Sequence, residues 1–391
     1  MNQHRQPVSV KWIGSMAQID REAWDRLSLP LDTPFLEWEW LHQLEASGSI
    51  VPQAGWLPQH LTLWEGERLI AAAPLYVKGH SAGEFVFDQP WAEVAARFGI
   101  RYYPKLVGMS PVTPVVGYRF LMAADVDSEQ VTRLMVAAID RFSMTHGLSG
   151  CSFLFVDPSW GQGLAAHGFT GWLHQSFAWE NPGFGTFSDY LSIFKANQRR
   201  NIRRERSAME AAGLQLRVLA GEEIPSAYLP LMYRYYEDTN ERYGPWGCKY
   251  LTADFFESIH ARYRHRLVLA VASRTARRDE PLALAMLLRK GSRLYGRYWG
   301  CRRPLKALHF NTCYYAPIEW AIQRGIQRFD PGAGSSHKLR RGFQAVGNYS
   351  FHRFYDPRLI EIMAAHMNEI NTMEQEHIDT LNRSLPFSQI R

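Results

Sequence analysis

"RLVLAVASRTARRDEPLALAMLLRKGSRLYGRYWG", Arg266 to Gly300, reads as two β-rich runs around a polar turn, followed directly by a third run. Downstream, LHFNTCYYAPIEWAIQRG (308–325) has the apolar spacing of a helix and closes on a glycine; IQRFDPGA then reads as one more strand. Strands, a returning helix and a strand again imply an α/β (α+β) fold, a mixed sheet flanked by helices. Working outward, the first half shows the same order. HLTLWEGERLIAAAPLYVKG (60–79) has the signature of a hairpin. EQVTRLMVAAIDRFSMTHG follows, with Val131, Leu134, Met135, Ala138, Ile139 and Phe142 at helical spacing and Gly147 as the stop, and then the strand CSFLFV. Both copies end in Asp-Pro, "FVDP" at 155–158 and "RFDP" at 328–331, so we read a duplicated unit.

A chain of 391 residues suits two domains. The joint falls in WENPGFGTFSDYL (179–191), rich in turn formers, giving domains 1–178 and 179–391. With 46% hydrophobic and 21% charged residues, disorder is excluded. The net charge of +6 favours polyanionic or phosphorylated partners. Cys151, Cys248, Cys301 and Cys313 form no C-x-x-C pair and no cluster of zinc-ligand spacing, so they read as free thiols and no metal is expected. The N-terminus has no apolar core of signal-peptide length. The longest apolar runs, such as LALAMLL (282–288), are too short to span a bilayer. A soluble, cytoplasmic protein without stable membrane insertion is the expectation.

FKANQRRNIRRER, Phe194 to Arg206, packs one lysine and five arginines into a short block. The stretch from Asp189 to Ala212 reads as one helix stopped by Gly213, with Tyr190, Leu191, Phe194, Ile202 and Met209 on its apolar side. Lys195, Arg199, Arg203 and Arg206 form an adjacent stripe, widened by Arg200 and Arg204. A solvated helix face mixes signs at i,i+4, whereas only Glu205 interrupts this block, so the stripe reads as a contact for phosphates.

Several stretches in the second half carry a family resemblance: NPGFGTFSDYL and KANQRRNIRRER, then YEDTNERYGPWGCKYLTADFF (236–256), LYGRYWG (294–300), LHFNTCYYAPIEWAIQRGIQRFDPGAG (308–334) and HKLRRGF (337–343). These cover most of residues 179–355, and FLEWEWLHQLEASGS (35–49) adds a looser match in the first half. The chain resembles the Fem family of tRNA-dependent amino-acid transferases, and in particular the FemAB-like N-acyltransferases. The resemblance implies two tandem GNAT-like acyltransferase domains. It also implies an N-acyltransferase that moves an aminoacyl group from aminoacyl-tRNA to an amine acceptor, a cell-wall precursor or a small biosynthetic metabolite, with no tightly bound cofactor.

On that resemblance the basic turn His337, Lys338, Arg340 and Arg341 lies at the acyl-transfer centre, where a lysine or arginine stabilises an oxyanion. His337, Lys338 and Arg340 join Tyr298 as catalytic candidates; Arg341 joins the tRNA phosphate set. Tyr295, Arg297 and Trp299 share one face of their strand by period two and Tyr298 points the other way. Arg297, Trp299, Asn311, Tyr315, Tyr243 and Trp246 are the substrate-binding candidates. Asn311 and Ser336 stand where the relatives lead one to expect acids. His309, His352 and Glu319 are further acid/base candidates. The loop GCRRPLKALHF has too little glycine for a coenzyme A cradle. An acyl-CoA- or acyl-carrier-protein-dependent transferase is the rival enzyme. A non-catalytic RNA- or lipid-binding protein on a transferase fold is the rival of another class.

Overall fold

The computed structural model describes residues 7–244, 247–334 and 336–388. The chain forms two compact units. The first runs to His174 and takes up Asn348–Gln375; the second comprises Gln175–Gly347 and the chain from Glu376.

In the first unit the expected hairpin pairs His60–Glu65 with Arg68–Ala73, Glu65 facing Arg68. Its two-residue turn begins at Gly66, whose φ of 61° suits the twist of the flanking strands. Val8–Ile13 and Leu121–Met122 complete that sheet. The expected helix is Ser128–Thr145, capped by Asp127, whose carboxylate accepts from Gln130 N at 3.0 Å. Val131, Met135 and Ile139 are buried, while Leu134 faces solvent. The strand Gly150–Val156 follows, and every residue in it is buried. It runs parallel to Lys105–Gly108 on one side, which accounts for its unbroken apolar run. On the other side it is antiparallel to the end of Gln344–Phe354, Phe351 facing Phe153. Leu359, Met363 and Met367, from the helix Pro357–Arg383, then pack on Trp91, Ala95 and Tyr102. Residues 348–375 therefore fold with the first unit, whereas the sequence assigns everything beyond 178 to the second. Strand pairing this distant leaves no local signature.

The first unit also buries charge. Lys105 Nζ donates to Glu84 (2.7 Å), Asp88 (2.5 Å) and Ser81 Oγ (2.9 Å), and all three charged side chains are essentially inaccessible. Lys78 sits directly opposite Lys105 in register, with its Nζ 3.5 Å from the Trp56 ring centroid. Lys105→Met takes the bonded counter-charge from two buried carboxylates and should cost about 3–5 kcal/mol. Urea unfolding followed by tryptophan fluorescence checks this; a loss below ~1 kcal/mol would mean the acids do not depend on that lysine.

The second unit holds the strands in the order Leu214–Ala220, Leu267–Arg274, Arg277–Lys290, Arg293–Cys301, Arg328–Asp330 and the end of Thr170–Glu180. All neighbours are antiparallel except Arg293–Cys301 with Arg328–Asp330. The expected helix runs through Leu308–Phe310, a π turn at Asn311–Tyr315 and Ala316–Gln323. Pro317 lacks the N–H that would bond the Cys313 carbonyl, and the wider turn precedes it.

The basic stretch departs from expectation. It is two helices, Phe187–Ser192 and Ala196–Ala211, rather than one. The break is held by a bridge between Phe194 and Phe387, with Lys195 N donating to Pro386 O (2.9 Å) and Ser388 N to Ile193 O (2.7 Å). The first helix opens with a capping box, Thr186 with Asp189. Tyr190, Leu191, Phe194, Ile202 and Met209 are all buried, as their spacing predicts.

Candidate acyl-transfer site

Arg293–Cys301 and Arg328–Asp330 pair only as far as Tyr295 and Asp330. Beyond that point Gly296 and Gly332 let the two backbones approach: a Cβ on Gly332 would lie 2.8 Å from Gly296 O. Asp330 is half-buried and accepts from Gly332 N at 2.8 Å; the partial loss of solvent holds its carboxyl above the ordinary range. The short helical turn Ser336–Arg341 brings Lys338 back to this point. Its Nζ donates to Gly332 O at 2.6 Å and lies 5.3 Å from the Phe177 ring centroid. Lys338 is 1% exposed, and burial, opposed by Asp330, lowers its pKa to about 8. A cationic amine with few hydrogen-bond partners at the parting of two strands is able to meet a developing negative charge.

His337 stands beside it, with Nε2 3.0 Å from Tyr314 OH. His309 lies 5.7 Å from His337, ring to ring, and 4.6 Å from Trp299. Both imidazoles are driven toward the neutral form, first by burial and then by neighbouring positive charge. His309 falls to about 3, and His337 is lowered from its ordinary 6.5 with Arg341 and Lys338 as the charged causes. His352, by contrast, is buried in the first unit between Ser152 Oγ (2.9 Å) and Ser350 Oγ (2.7 Å).

The simple alternation expected along YGRYWG does not hold. The register shifts where Met286 faces Tyr298 and Leu287 faces Gly296, leaving Arg297 as the extra residue of a bulge. Arg297 therefore lies with Tyr298, donating to its hydroxyl at 3.2 Å, and Trp299 packs on His309. Tyr298 packs against Tyr236 and Phe256.

Arg341, expected at a phosphate, is buried and bound elsewhere. Its Nη2 lies 2.7 and 3.0 Å from the Glu205 oxygens, its Nε 3.2 Å from Tyr315 OH, and its guanidinium 3.4 Å from the Phe310 centroid. Tyr315 OH donates to Glu205, and Asn311 Nδ2 donates to Glu205 O and Ala307 O, both at 2.9 Å. Tyr315 and Asn311, expected at the substrate, are thus buried members of this network. Tyr243 is 63% exposed at the end of the helix Tyr228–Arg242, and Trp246 lies outside the described residues.

The basic helix divides its cations. Lys195, Arg200, Arg203 and Arg204 are exposed. Arg199 donates to Phe194 O (2.5 Å), and Arg206 pairs with Glu319 (2.6 Å) over the Phe187 ring. That pair occupies Glu319, a candidate base. Arg340 is exposed as well, and Gln198 of the helix donates to its carbonyl at 2.7 Å, so Arg340 extends the exposed row toward Lys338. A groove of about 640 Å³ is lined by Asn311 itself, with Arg206, Met209, Leu216 and Trp320 among others. Sequence reasoning did not find this groove, nor Asp330 and Glu205 as members of the site. For Asp330 the sequence signal was present, an Asp-Pro turn ending a strand; Asp157 does the same after Gly150–Val156, accepting from Ser159 N at 3.0 Å. Among the described residues, no group of three or more His, Cys, Asp or Glu could hold a metal ion. Among the same residues, no helix is long and apolar enough to cross a membrane.

A FemAB-like family profile, described as peptidoglycan biosynthesis/recognition, matches residues 15–389. Among solved structures the chain is similar to FemX, at 11% identity over 91% of this chain and 99% of that one, with a TM-score of 0.53. It is similar to the C-terminal domain of a putative lysylphosphatidylglycerol synthetase from Agrobacterium fabrum, at 11% identity over 90% and 96% of the two chains, TM-score 0.53. A tandem GNAT protein from the clavulanic acid biosynthesis pathway matches at 11% identity over 90% and 99%, TM-score 0.45. No curated protein matches the chain. The mixed sheets flanked by helices, repeated in two units and matched by this profile over nearly their whole length, place the chain in the FemAB-like family of acyltransferases.

Proposed function

We propose that the protein transfers an aminoacyl group from aminoacyl-tRNA to an amine acceptor, a cell-wall precursor or a small biosynthetic metabolite. The observation that carries this reading is the exposed row Lys195, Arg200, Arg203, Arg204 and Arg340, which leads to the turn bearing buried Lys338. A polyanion laid along that row would bring its acylated end to the parting strands. In the step, the acceptor nitrogen attacks the ester carbonyl and a C–N bond forms. Lys338 faces the tetrahedral oxyanion, assisted by neutral His337 as a hydrogen-bond partner. The ester C–O bond then breaks, the ribose oxygen takes up a proton and the nitrogen gives one to solvent. No tightly bound cofactor is required, and the reaction belongs in the cytoplasm, where charged tRNA is found. The family's description, peptidoglycan biosynthesis/recognition, supports a cell-wall acceptor, and the putative lysylphosphatidylglycerol synthetase domain, similar in fold, is in keeping with aminoacyl transfer. The domains read from the sequence, 1–178 and 179–391, assign the transfer centre to the second.

One observation favours a thioester donor instead. Arg302, Arg303 and Lys306 are exposed just ahead of the helix that begins at Leu308, a setting able to take a pyrophosphate. The purified protein is incubated with total charged tRNA and cell extract, with and without ribonuclease, and new amides are sought by mass spectrometry. An amide that vanishes with ribonuclease is expected. Amide formation that survives ribonuclease moves the donor to a thioester, and binding of tRNA without any amide supports the non-catalytic alternative.

A further inference from the structure

Glu205 is the one acid in the block Phe194–Arg206, and its carboxylate is bound to Arg341 and Tyr315. We propose that Glu205 is a positioning residue for acyl transfer: through Arg341 it fixes the carbonyl of His337 and so holds the turn that presents Lys338. The proposal rests on the reading of Lys338 as the centre of acyl transfer.

The geometry runs through all three nitrogens of one guanidinium. Nη2 of Arg341 meets both oxygens of Glu205, at 2.7 and 3.0 Å, and Nε meets Tyr315 OH at 3.2 Å. Nη1 is then aimed at His337 O, 3.0 Å away, on the residue directly before Lys338. Two further carbonyls of the turn are held from the same stretch of chain that carries the arginines. Tyr190 OH donates to Arg341 O at 2.8 Å, and Gln198 Nε2 donates to Arg340 O at 2.7 Å. Glu205 is itself anchored, its carbonyl accepting from Asn311 Nδ2 at 2.9 Å. Tyr190, Gln198 and Glu205 thus grip the turn at three points. Arg341 is 4% exposed and Glu205 is partly so, so the guanidinium makes its contacts from the buried side of the pair. Its planar fork, which satisfies an acid, a hydroxyl and a carbonyl together, is something a lysine cannot reproduce. Neutralising Glu205 leaves a buried guanidinium without its counter-charge, and the turn loses its reference point.

Two readouts test this. Native protein is treated with trace acetic anhydride at a single pH, and acetylation is mapped by mass spectrometry. In Glu205→Gln, shown to be folded by circular dichroism, Lys338 is expected to react at least about fivefold faster than in wild type, while exposed Lys306 is unchanged. Amide formation should lose about tenfold in kcat with KM for charged tRNA within about twofold, the signature of misplacement rather than weakened binding. Arg341→Lys, which keeps the charge and loses the fork, should give the same two changes, and it carries the test if Glu205→Gln does not fold. Lys338 reactivity within about twofold of wild type in a folded variant overturns the proposal. A wild-type protein that forms no amide sinks the transferase reading and the catalytic half of the proposal; the labelling arm still upholds or overturns the positional half.

Discussion

Lys338→Met is expected to fold normally and to lose roughly 10²–10³-fold in the rate of amide formation, the usual cost of removing one donor from an oxyanion site. Methionine fills a similar buried volume, so the loss reports the ammonium together with its bond to Gly332 O. The pH profile carries the sharper information. Burial lowers the Lys338 pKa to about 8. Below that value the amine is cationic and able to face an oxyanion. Above it the charge is gone. Transfer should therefore climb as the acceptor amine deprotonates and turn down as pH passes about 8, with the descending limb missing in Lys338→Met. A wild-type rate still rising through pH 9 would remove Lys338 from this role. Stability carries an independent sign. The unfolded chain keeps its proton up to the ordinary lysine value of 10.5, whereas the folded chain releases it near 8. Between these values the unfolded state binds more protons, so this group makes stability rise with pH across that window. Urea unfolding of wild type and Lys338→Met at pH 7.5 and 10 measures the difference.

The triple variant Arg200→Ala/Arg203→Ala/Arg204→Ala should weaken tRNA binding on the order of 10²-fold at low salt. All three side chains are exposed on the helix Ala196–Ala211, so the fold should survive their loss. The dependence of log K on log salt should flatten by about 2–3, since each lost phosphate contact removes about 0.7–0.9 from the slope. The loss should be alike for different tRNAs, because phosphates carry no sequence information. Lys338→Met should bind tRNA as wild type does. Equal binding and equal slope in the triple variant would return the basic block to a solvated helix face.

How much of this was legible depends on the distance over which each contact acts. The strands from Leu267 to Cys301 and the helix ending at Gln323 follow from local periodicity and turn residues, and so does the hairpin His60–Ala73. The break at Ile193–Lys195 was not legible, because a bridge to Phe387 imposes it from far along the chain. The bulge at Arg297 depends on the register of a neighbouring strand and breaks the period-two alternation there, with Arg297 bonded to Tyr298 OH. Arg341 looked like one more cation in a basic turn. Its partner Glu205 is 136 residues away, and an ion pair across that separation leaves no trace in composition or spacing. Lys338 could be picked out as a residue type in a suggestive place, but its burial and its bond to Gly332 O could not.

The return of residues 348–375 to the first unit has a consequence for biosynthesis. A ribosome makes the strand Gly150–Val156 long before it makes Tyr349–Phe354, the segment that pairs along its open side. Through the whole of the intervening synthesis, the row of N–H and C=O groups beside "FLFV" has no partner from that segment. Such an edge is a template for other chains. The first unit to emerge is thus completed only after residues 175–347 of the second have been made, and its open edge is exposed to misassociation throughout that interval.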